Sequence, residues 1–174
     1  MNAIEPTGRR EPSATQRAAT LKERVYISFT SLAVVLALRG HADETTPAAA
    51  AATLSIVVVG SLLGILVADL LSHLTVHEEL PSRQEIRFMV ATGTEALGVL
   101  VTPVLLLTAA GLGLWSTAVA LQWAIVVLVA TLLVIGFLAI RRLDLPLRHK
   151  VVIVFAEVVL SLLVIGLELL AHNL

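Results

Sequence analysis

The chain contains no cysteine, which excludes disulfides, thiol catalysis and thiolate metal sites together. Charge is scarce as well: 14% of the 174 residues are Asp, Glu, Lys or Arg, where a soluble domain carries about 25%. The first twenty residues, MNAIEPTGRREPSATQRAAT, hold no apolar run, which excludes a secretory signal peptide. Catalytic signatures are missing too. His77-Glu78-Glu79-Leu80-Pro81 begins like the zinc-protease pattern HExxH but lacks its second histidine. No G-x-S-x-G surrounds Ser61, and five histidines are too few for a His-box di-iron enzyme. No phosphate-binding glycine loop or cofactor fingerprint is present, so neither an enzyme nor a nucleic-acid binder is expected.

What the sequence does have is apolar length. Hydrophobic residues make up 57% of it and the mean hydropathy is +0.94. Long apolar runs cover Val25–Leu38, Ala48–Leu71, Phe88–Ala110, Leu114–Ile140 and Val151–Ala171. A helix crossing ~30 Å of hydrocarbon needs about 20 residues. The last four runs meet that, and the first does so only if its flanking charged residues snorkel to the interfaces. The expected fold class is all-α: a polytopic integral membrane protein, a bundle of five transmembrane helices. Residues 1–20, rich in Ala, Thr, Pro and Arg, are expected as a disordered cytoplasmic tail, and residues 21–174 as one transmembrane domain.

Charge placement predicts the orientation. Eleven of the twelve Lys and Arg residues lie in the N-terminal segment, the Arg83/Arg87 loop and the loop from Arg141 to Lys150, and Arg39 stands alone on the other side. By the positive-inside rule the N-terminus is cytoplasmic and the C-terminus outside. The excess of Arg over Lys and the abundance of Ala suggest a bacterium with a GC-rich genome, hence a multi-pass protein of the bacterial inner membrane. Its surroundings are then the lipid bilayer.

Local signals refine the helices. Thr46 is a candidate N-cap and Pro47 a first-turn proline for the second helix. Pro103 should bend the third, with Thr102 beside it as a candidate partner for the freed carbonyl. Gly60 and Gly64 form a GxxxG continued by Ala68, a surface on which another helix can pack closely. The fourth run, nearly free of polar side chains in its inner half, is expected to be the most lipid-exposed.

Ionisable residues within these runs cost ~2.5–3.5 kcal/mol each on insertion scales. Asp69, Glu95 and Glu157 all fall in the cytoplasmic third of the bilayer, with Ser28, Thr30 and Ser31 at a similar level. Ser61, Ile65, Asp69, His73 and His77 share one face of the second helix. Arg87, Ala91, Glu95, Gly98 and Thr102 form a stripe on the third, and Glu157, Ser161, Glu168 and His172 one on the fifth. Such stripes should face the bundle interior. Asp69, His73, Glu95 and Glu157 are the candidate ion-binding and transport residues. Asp69, His73, His77 and Glu95 are the candidate metal ligands, since imidazoles four apart can share a metal that carboxylates complete.

Two functions fit. One is a cation transporter or channel, moving a divalent metal ion or coupling cation entry to proton release from partly dehydrated carboxylates. The other is a non-transporting accessory or scaffold protein whose polar residues hold helices or partners together.

The stretch Ala68-Asp69-Leu70-Leu71-Ser72-His73-Leu74-Thr75-Val76-His77-Glu78 is similar to the second-helix pattern A-D-x-x-S-M-x-x-G-E-Y of the vacuolar iron transporter family. Gly136 to Ile165, with Arg-Arg, Pro and Arg-His-Lys between two apolar runs, also resembles that family's closing hairpin. The resemblance implies five spans with the N-terminus inside, a divalent metal ion as substrate and a homodimer, for which Gly60 and Gly64 would supply the surface. His73 stands where the family has a metal-contacting Met and His77 where it has a Glu. Val25–Leu38 lacks the acidic residue and glycines of the family's first helix.

Overall fold

A computed structural model describes residues 14–141 together with 146, 148, 149, 151, 152, 155, 156, 158–160, 162, 163 and 166. Its five described elements are all α-helices: α1 Ala14–Gly40, α2 Pro47–His77, α3 Arg83–Ala96, α4 Gly98–Gly111 and α5 Thr117–Arg141. Three lengths of helix are long and apolar enough to cross a membrane, namely Pro47–His77, the α3–α4 stretch Arg83–Gly111, and Thr117–Ala139.

α1 begins at Ala14, so residues 14–20, expected in the tail, are helical. At about 1.5 Å per residue its 27 residues extend for roughly 40 Å, well beyond the apolar run inside it. It packs on all four other helices. Its buried side chains, Glu23, Ile27, Ser28, Ser31, Leu32 and Val35, recur at three- and four-residue steps and so form one seam.

α5 supplies the opposing surface. Ala120, Leu121, Ala124, Leu128 and Leu132 are buried on it, facing α1 and α4, its main partners. The two alanines on that surface allow close approach. The expectation that this helix is the most lipid-exposed is therefore corrected. In its most apolar stretch 28% of residues are buried, against 11% for α2, which is the more exposed helix.

α2 is capped as expected: the Thr46 hydroxyl accepts from the Ala49 N–H at 3.2 Å and Pro47 occupies the first turn. Only Ala50, Leu54 and Val58, all in its first half, are buried. Past Val58 the helix offers the bundle no buried side chain, and its contacts with α3 are few. α2 ends on Glu78, whose φ of 55° is left-handed, with its N–H returning to the Leu74 carbonyl at 3.0 Å. A reciprocal capping box then starts α3. The Ser82 hydroxyl accepts from the Glu85 N–H at 3.3 Å and the Glu85 carboxylate from the Ser82 N–H at 2.7 Å.

The third apolar run is interrupted at Leu97, six residues before Pro103 rather than at it. Pro103 has no N–H for the Val99 carbonyl and presses against it. The turn ahead tightens in response: the Leu100 N–H bonds Leu97 at 2.9 Å in place of a regular α-helical bond. Thr102 lies exposed beside it. α4 buries Leu100, Pro103, Leu107 and Ala110, and Gly113, at φ +83°, makes the turn into α5.

Candidate functional site

The polar end of the bundle is where α1 begins, α2 ends and α3 begins. Lys22, Glu23 and Arg24 are consecutive on α1, and successive helical residues point about 100° apart. The two basic side chains consequently diverge. Lys22 Nζ lies 3.9 Å from Asp69 on α2, and an Arg24 guanidinium nitrogen lies 3.6 Å from Glu95 on α3. Glu23, between them, faces inward.

Glu23 is 3% exposed. Among the described residues its carboxylate accepts no hydrogen bond and has no ion pair within 4 Å. Glu23 lies two residues before the apolar run of its helix. Burial, with the charge of nearby Asp69, pushes its carboxyl above the ordinary carboxylate range, against the opposing pull of Lys22.

The carboxylate opens on a cavity of about 170 Å³ between α1, α2 and α3. Its walls are the aliphatic side chains of Val59, Leu62, Leu63, Ile65, Leu66, Val90 and Leu97, with Met89, and its polar groups are Glu23, Asp69 and Thr94. Gly93 completes the wall: a Cβ there would lie 3.9 Å from the Glu23 carboxylate and 3.8 Å from Leu62. The cavity lies where α2 is only half-buried: after Val58 it has no fully buried side chain, though Leu62 and Ile65 still pack against the core. A more polar vestibule adjoins it, lined by Lys22, Ser72, His73, His77 and Phe88, and shares Asp69 and Met89 with it. The His73 and His77 rings sit 4.6 Å apart, tilted by 41°.

The sequence-derived candidates fare differently. The α2 row is half-buried from Ser61 to His73, with Ile65, Asp69 and His73 along the crevice and His77 exposed at its mouth. The Ser61 hydroxyl is satisfied within its own helix, by the Val57 carbonyl at 2.9 Å. The α3 stripe does not face inward: Arg87, Ala91, Glu95, Gly98 and Thr102 are all exposed. The buried face of α3 is instead Thr92 and Ala96, small residues that let α1 approach, and Glu95 is met at the surface by Arg24. Asp69, His73, His77 and Glu95 are not assembled into a metal shell, since no three such ligands cluster among the described residues. Glu157, Ser161, Glu168 and His172 lie outside the described residues. Gly60 and Gly64 have open space where a Cβ would be, so no described helix packs on them.

Sequence reasoning missed Glu23. Flanked by Lys22 and Arg24 ahead of the apolar run, it reads as interfacial charge. The signal was its phase, in register with Ile27, Ser31 and Val35 at four-residue steps. No family model, curated protein or solved structure matches this chain.

Proposed function

We propose that the chain is a five-span membrane protein with a cytoplasmic N-terminus, and that it moves a small cation through the crevice between α1, α2 and α3. The observation that carries this is Glu23: a buried carboxylate with no hydrogen bond or ion pair among the described residues, facing a cavity that a second carboxylate, Asp69, also lines. Ionised, such a group attracts a cation. Protonated, it releases one, so proton and cation occupancy exclude each other at the same oxygens. His73 and His77 line the approach, and the positive-inside distribution puts that approach on the cytoplasmic side. Two carboxylates and an aliphatic wall line the cavity, a donor set that suits a proton or a monovalent cation.

Proteoliposomes carrying a pH-sensitive dye, challenged in turn with potassium, manganese and a pH step, test the proposal. Glu23→Gln and Asp69→Asn each abolish the flux that the wild type supports. Equal flux in all three proteins, or none in any, overturns it.

A second reading rests on a separate observation. Lys22–Asp69 and Arg24–Glu95 tie α1 to α2 and to α3, which is what a scaffold that only holds its helices would need. In that case Asp69→Asn and Glu95→Gln lower the melting temperature and no flux is seen.

A further inference from the structure

The cavity pairs a small acidic end with a large aliphatic body, and that combination selects among cations. An inorganic ion entering it would lose its water to walls of leucine, isoleucine and valine, with two carboxylates and Thr94 as the polar replacements. An ammonium with an apolar substituent loses less. Its charged head meets Glu23 and Asp69, and its hydrocarbon meets the aliphatic wall and gains from burial. The space fits such a guest: 170 Å³ is about 11 to 17 times the ~10–15 Å³ that one water requires.

Lys22 indicates where the head goes. Its ammonium, on an alkyl stem, is 3.9 Å from Asp69 at the junction of cavity and vestibule. It is 67% exposed, so it can swing out to solvent. We infer that the crevice between α1, α2 and α3 binds a small amphiphilic organic cation, an alkylammonium-type ligand, whose head takes the place of the Lys22 ammonium beside Asp69 and Glu23. This rests on the cation reading above and supplies its ligand class.

The test is isothermal titration calorimetry of the full chain in a non-ionic detergent with propyl-, butyl-, pentyl- and hexylammonium, and with hexanol and potassium as controls. Affinity rises about fourfold per added methylene, and neither control binds with comparable affinity. Glu23→Gln weakens hexylammonium by about tenfold or more, and Lys22→Gln, which removes the internal competitor, tightens it about threefold. Should Glu23→Gln fail to fold, Leu63→Trp serves instead: it narrows the cavity and removes the chain-length dependence. Competition separates two sources of the same chemistry. Displacement of hexylammonium by short-chain phosphatidylethanolamine but not by phosphatidylglycerol assigns a lipid amine, and displacement by neither assigns a free one. Affinity independent of chain length, or unchanged in Glu23→Gln, overturns the inference. Flux of protons or potassium without alkylammonium binding defeats this ligand class and leaves the transport reading standing. Binding without any flux does the reverse.

Discussion

The two ends of the bundle are built from the same helices and differ in what fills the space between them. At the end where α2 begins and α4 meets α5, the buried positions are Leu54, Val58, Leu107, Leu121 and Val35, a packed aliphatic layer. At the other end α2 contributes nothing buried after Val58, and the space it vacates holds a cavity with a carboxylate in it. The packed seam of α1 and α5 continues toward that end through Ile27, Leu128 and Leu132, so the contrast between the ends lies in what α2 adds. In the membrane setting proposed above, lipid offers helices no hydrophobic reason to associate, so contact packing has to hold them. A bundle that is well packed at one end can leave a crevice at the other.

Substitutions that sharpen this contrast differ in size. Leu121→Ala, in the packed half, should lower unfolding stability in detergent by about 2 kcal/mol or more through the cavity it leaves. Leu63→Ala, on the exposed cavity wall, should change it by less than about 0.5 kcal/mol. Similar losses at both sites would remove the distinction between the ends.

Next comes Glu23. Its folded-state pKa is raised from 4.5, so the folded chain holds that proton more tightly than the unfolded one. The stability linked to it is full below about pH 4.5 and is lost as pH rises through the folded value. The melting temperature of the wild type should therefore fall relative to Glu23→Gln as the pH is raised from 4 to 8, measured by differential scanning fluorimetry. Parallel curves would mean that the carboxylate is not held in a dry site.

A smaller effect belongs to Ser31. Its hydroxyl is fully buried and has no hydrogen-bond partner among the described residues, an arrangement that costs about 1–3 kcal/mol. Ser31→Ala should raise stability, by about 1 kcal/mol once the lost packing is offset. Smallest of all are the ion pairs. Lys22–Asp69 and Arg24–Glu95 are substantially solvent-exposed, and double-mutant cycles on each should return about 0.2–1 kcal/mol, declining with salt.

Much of the fold is legible in the sequence, because apolar runs and their punctuation are local. The runs at Ala48–Leu71 and Phe88–Ala110 lie within α2 and the α3–α4 stretch, and the run at Leu114–Ile140 contains most of α5. Thr46 and Pro47 act where expected. What hydropathy does not encode is which helix is enclosed. α1 has the shortest apolar run and still packs on all the others, and its seam of Glu23, Ile27, Ser31 and Val35 mixes polar and apolar residues that average to nothing notable. The site was half legible for the same reason. Asp69 and the histidines stand out against an apolar background, whereas Glu23 is hidden among charged neighbours. Depth along the membrane normal also says nothing about azimuth, and Glu95, at the right depth, is on the outside of α3.

That last pair provides the most direct measurement. Glu23 and Glu95 are the same residue type at the same end of the bundle, one buried toward the cavity and one exposed beside Arg24. Cation flux into proteoliposomes should be lost in Glu23→Gln and kept within about twofold of wild type in Glu95→Gln, where only a surface pair is broken. Flux that survives in Glu23→Gln and vanishes in Glu95→Gln would place the path on the outer face of α3 and contradict the account.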